Sequence, residues 1–121
     1  LDKAPRGQER DVIEELVGGM AFDMGAQVFV DQVRALQRRP DQQRNLALFD
    51  MPVLLIGGDN DPVYPVKRQE FMASAMPNAR LEVLKGGTHM TMLESPARVT
   101  ELVMEFLPKP LVLKQKPLLL E

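Results

Sequence analysis

His89 is the only histidine in the 121-residue chain, and it follows Gly86-Gly87-Thr88. An imidazole can act as a general base, bind a metal, or sit in a loop bonded to a backbone carbonyl. The metal reading is poor. The chain has no cysteine, so only carboxylates could complete a zinc site, and no metal or other cofactor is expected. A base is helped by a carboxylate that fixes its tautomer and stabilises the imidazolium formed when it takes a proton. The stretch "GGDNDP", residues 57–62, offers Asp59 and Asp61, although an Asp-Pro turn former would read the same way.

Both stretches follow short apolar runs that read as strands. "PVLLI" (residues 52–56) is continuous and bounded by Pro52 and Gly57-Gly58, which suits a strand buried on both faces. "RLEVL" (residues 80–84) alternates, with Leu81, Val83 and Leu84 apolar. A helix is expected near Lys67 to Ala75 and another from Ser95, serine as N-cap and Pro96 at the first helical position. Val99, Leu102, Val103, Phe106 and Leu107 would form its buried stripe. Strand, loop, helix, strand, loop, helix is the order of an open parallel sheet with covering helices. Sites in such sheets form outside the carboxyl ends of the strands. That rule places Asp61 and His89 on neighbouring loops at one sheet edge.

Upstream, the chain reads as helical. Val12, Ile13, Leu16, Val17 and Met20 fall at helical spacing after Asp11 as N-cap, with Gly18-Gly19 weakening the end. A second helix is expected from Ala26 to Arg38, stopped by Pro40, with Arg38 and Arg39 as a solvated basic end. "DQQRNLALFD" reads as a short third helix with Leu46 and Phe49 turned inward.

Together, "MPVLLIGGDNDPVYP" and "MPNARLEVLKGGTHMTMLESPARVTELVMEFL" resemble the C-terminal portion of the α/β-hydrolase fold superfamily. Gly58 to Asp61 match that family's G-x-x-D loop, which carries the acid of a Ser-Asp-His triad. Gly86 to His89 match its histidine loop, with Thr88 where glycine is usual. Glu94-Ser95-Pro96 resembles the start of its final helix, and residues 25–54 are similar to the last cap helices and the return into the sheet. The resemblance favours Asp61 over Asp59 as the acid and implies His89 as the base.

The expected fold class is therefore α/β, the C-terminal part of an α/β-hydrolase parallel sheet with flanking helices, preceded by cap-like helices. Residues 1–49 would be the cap-like segment, 50–107 the β-α-β-α segment, and 108–121 a tail that adds an edge strand or hangs free. The departure from the family is the nucleophile. The chain's two serines, Ser74 and Ser95, both follow the acid loop, and neither lies in a G-x-S-x-G elbow. "AFDMG" faintly suggests an elbow with Asp23, but no strand precedes it and it sits in a helical pattern. Glu94 reads as a helix-start charge, and Met90 and Met92 as pocket wall or core filler.

The resemblance implies an esterase- or lipase-like parent hydrolase acting on a small-molecule substrate, with this chain alone inactive. The competing expectation is a non-catalytic assembly or binding module on the same scaffold. A start at Leu1 rather than methionine, and a final Leu120-Glu121 of the kind cloning sites leave, lead to the expectation of a piece of a longer protein. Its partner would be a missing N-terminal hydrolase segment or a second copy. A net charge of -2 argues against nucleic acid, no apolar segment is long enough to span a membrane, and the lack of cysteine fits the cytoplasm.

Overall fold

The computed structural model describes residues 8–108 of the chain. Helix α1 spans Gln8–Arg38 but is two helices joined at Gly25, whose φ of 81° and ψ of 164° leave the helical region. The expected weakening at Gly18-Gly19 does not break the helix. Glycine in a helix interior costs about 1 kcal/mol but keeps its hydrogen bonds, whereas φ > 0 interrupts the ladder. Asp11 is not the N-cap either, because the helix already runs from Gln8 and leaves Asp11 in its first turn. The C-terminal end does fall at Arg38, ahead of Pro40.

The third helix is a 3-10 turn over Gln43–Leu48. Leu46 is half-buried, but Phe49 is 40% exposed, against expectation. Phe49 has left the helical conformation and only its backbone N–H reaches back, to Leu46 O at 3.1 Å.

Strand β1 (Val53–Gly58) runs through both glycines rather than stopping before them. Helix α2 (Val66–Ala75) crosses over to strand β2 (Ala79–Leu84), which lies parallel to β1 with Val53 opposite Ala79 and Gly58 opposite Leu84. A parallel pair needs such a crossover, and it brings the carboxyl ends of both strands to one edge. Helices α3 (Thr91–Glu94) and α4 (Pro96–Phe106) follow, and α2, α3 and α4 all pack against β1. Val53 to Ile56 are half-buried rather than buried on both faces. The described residues form only two strands, so β1 and β2 each keep an unpaired edge.

Leu102 is fully buried (0% exposed) and anchors α4. Val99 and Phe106 share its face and are half-buried, but Val103 and Leu107 are exposed, so the stripe is narrower than expected. Pro96 does open the helix, yet the Ser95 side chain makes no cap bond, because its backbone also closes α3. The expectation for the tail falls largely on residues 109–121, outside the described residues. No helix among the described residues is long and apolar enough to cross a membrane.

Candidate active site

The loops leaving β1 and β2 are stitched together by backbone. Asp59 N–H donates to Leu84 O at 3.1 Å and Asn60 N–H donates to Gly87 O at 2.9 Å. The chains approach so closely that a Cβ on Gly58 would lie 2.2 Å from Gly87 O and 2.7 Å from Thr88 O. Only glycine fits there. Gly86 turns the second loop with φ of 75°, and Asp59 Oδ1 accepts its N–H at 2.7 Å. Asp59 therefore ties one loop to the other through backbone.

Asp61 is placed differently. Its Oδ1 accepts the N–H groups of Val63 at 2.8 Å and Tyr64 at 2.9 Å, a side-chain turn that locks the carboxylate to its own loop. Its Oδ2 then lies 2.9 Å from His89 Nδ1. The Asp61 side chain is 6% exposed, whereas that of His89 is 52% exposed. Burial pushes the Asp61 carboxyl up, but the hydrogen bond from His89 and those from Tyr64 and Val63 outweigh it and leave the group below its ordinary value. It is thus a carboxylate at neutral pH and can only accept, so Nδ1 of His89 donates, and in the neutral form of the ring Nε2 is the acceptor. A buried carboxylate behind a half-exposed imidazole can act as a general base.

Two side chains support these loops that sequence reasoning passed over. Gln69 on α2 is buried, and its Nε2 donates to Gly58 O at 3.1 Å and to Tyr64 O at 2.8 Å, bracketing the Asp61 loop. Its Oε1 is buried and has no hydrogen-bond partner among the described residues. The signal was available: Gln69 falls at helical spacing with Met72 and Met76, a polar residue in register with an inward face. Glu94, expected as a helix-start charge, instead accepts the Thr88 N–H at 3.1 Å to each oxygen and also the Thr88 hydroxyl.

Asp23 lies inside α1, and no strand precedes it among the described residues. Ser74 sits in α2 with its hydroxyl donating to Phe71 O at 2.8 Å, and Ser95 stands between α3 and α4, so neither serine occupies a strand-to-helix elbow. No group of three or more His, Cys, Asp or Glu among the described residues could hold a metal ion.

Two parallel strands with their helices, and an aspartate and a histidine on adjacent carboxyl-end loops, are the C-terminal part of an α/β-hydrolase fold. Within that superfamily the chain belongs to the family described as TAP-like protein, whose family model matches residues 26–115. The mouse protein ABHD8 is 41% identical over 61 residues, covering 50% of this chain and 14% of its own length. RutD of Pseudomonas savastanoi, which carries the provisional name of a carbamate hydrolase, is 31% identical over 88 residues, covering 73% of this chain and 34% of its own length. The chain thus spans about a third or less of these curated relatives. Among solved structures, a thermophilic esterase from Thermogutta terrifontis with malate bound superposes with a TM-score of 0.54 at 31% identity, over 56% of this chain and 25% of that one.

Proposed function

We propose that this chain supplies the acid and base of a Ser-Asp-His triad in an ester hydrolase, with the serine carried by polypeptide outside residues 1–121. The observation that carries the reading is the 2.9 Å contact from His89 Nδ1 to Asp61 Oδ2. His89 Nε2 takes the proton from the serine hydroxyl as its oxygen attacks the acyl carbon, and Asp61 stabilises the imidazolium that results. The imidazolium returns the proton to the leaving alcohol. His89 then takes a proton from water as it attacks the acyl-enzyme, and the imidazolium gives that proton to the serine oxygen as the acid leaves. The likeness to an esterase and to a protein named for carbamate hydrolysis supports an acyl-type bond in a small molecule.

Two experiments test this. The 121-residue chain alone should hydrolyse activated esters no faster than its His89→Ala variant. Turnover abolished by both His89→Ala and Asp23→Asn would instead make Asp23 the nucleophile. Sequencing the native reading frame upstream of Leu1 should reveal a G-x-S-x-G elbow between strand and helix. A native start near Leu1 would favour a non-catalytic module.

A further inference from the structure

We infer that Glu94 is a positioning residue for His89, holding the histidine loop through Thr88. The inference rests on the reading of Asp61 and His89 as an acid–base pair. The loop between β2 and α3 contains Gly86, in the left-handed region, and Gly87, so its own sequence gives it little stiffness. Its entry is held by Asp59 at Gly86 and by Asn60 at Gly87. Nothing in those contacts fixes the backbone on the far side of the glycines, where His89 begins.

Glu94 does that. Its carboxylate takes both donors of Thr88, the backbone N–H at 3.1 Å to each oxygen and the side-chain hydroxyl, from the end of α3. A carboxylate accepting from two donors of one residue makes charge-assisted bonds, roughly twice as strong as neutral ones. Thr88 and Glu94 are both half-buried, so these bonds are partly shielded from competing water. The Asp61 contact orients the imidazole ring, and the Glu94 clamp fixes where its Cα stands. Among the described residues the Glu94 side chain hydrogen-bonds only Thr88, and it acts through that residue.

The test uses the full 121-residue chain labelled with 15N-histidine, where the lone imidazole gives an unambiguous signal. In the wild type the neutral form of the ring should be the Nδ1–H tautomer. Glu94→Ala should lose most of that signal to a tautomer mixture, and the Thr88 amide should exchange about tenfold faster or more. Glu94→Gln should restore the wild-type tautomer, since its single amide oxygen can accept both the Thr88 N–H and the Thr88 hydroxyl, as Oε1 does in the wild type. A merely structural role would lower the melting point without changing the tautomer of the folded molecules. Glu94→Ala that keeps both the tautomer and the Thr88 protection overturns the inference. Should Glu94→Ala not fold, Thr88→Val removes the hydroxyl alone and must shift the tautomer in the same direction; no shift overturns the inference. A wild type showing only the Nε2–H tautomer overturns the acid–base pair itself, a separate result from failure of the clamp.

Discussion

Gly58 and Gly87 meet so closely that a Cβ on the first would overlap the carbonyl of the second, at 2.2 Å from its oxygen and 2.3 Å from its carbon. The obstruction is backbone, which cannot swing aside. Gly58→Ala should therefore cost at least about 1–3 kcal/mol and push the Asp61 and His89 loops apart. Gly86 is the contrasting case. A Cβ there would meet nothing within 4 Å, so the cost comes from its φ of 75° alone. Gly86→Ala should lose about 1–2 kcal/mol and Gly86→Asn less, because asparagine tolerates the left-handed region. Urea denaturation of the three variants checks this ranking, and Gly58→Ala at wild-type stability would contradict it.

The loop geometry was legible from the sequence because it follows from topology. Two apolar runs joined by a helix make a parallel crossover, and that crossover sets Asp61 and His89 side by side. Asp59 and Asp61 were separated by resemblance, and the structure shows the physical difference: Asp59 is directed at the Gly86 amide, Asp61 at the imidazole. The break in α1 was partly legible: the second helix was expected from Ala26, and the chain leaves the helical region at Gly25 just before it. What the pattern did not show is that the first helix runs on through Gly18 and Gly19 to reach that break. The Glu94 clamp was hidden because a glutamate before a helix-opening proline has a ready local explanation.

Gln69 should be intolerant of truncation. Gln69→Ala strips Gly58 O and Tyr64 O of a shared donor in a buried place. A loss of about 1–3 kcal/mol is expected, with the Asp61 loop loosened before global unfolding. Amide exchange at Val63 and Tyr64 measures the loosening; unchanged protection there would show that Asp61 holds its loop without help.

Acid should weaken the fold through Asp61. Its carboxyl lies below the ordinary 3.8 in the folded chain. Its stabilising contribution is thus full above 3.8 and is lost as pH falls through the lower folded value. The stability gap between wild type and Asp61→Asn should hold from neutral pH down to the ordinary 3.8 and shrink as pH falls below it. A gap that stays constant or grows on acidification would mean that the carboxylate is not held by its hydrogen bonds.

Self-association is also expected. Among the described residues only Met76 and Leu102 are buried apolar side chains, while α1 carries Phe22 at 87% exposure beside exposed Val12, Leu16 and Met20. Each such side chain left wet forfeits about 1.5–3 kcal/mol against a domain total of about 5–15 kcal/mol. Sedimentation at micromolar concentration should show dimers or larger species. A compact monomer that melts cooperatively would show that the chain covers these faces itself.

The acid–base assignment is tested most directly by steady-state hydrolysis of an activated ester by the protein encoded by the whole native reading frame, compared with its Asp61→Asn and His89→Ala variants. Asp61→Asn should lower kcat by about 10⁴ with little change in KM, since the amide favours the wrong imidazole tautomer. The double variant should be no worse than His89→Ala alone, because the pair acts as a unit. Wild-type turnover in the His89→Ala protein would contradict the account.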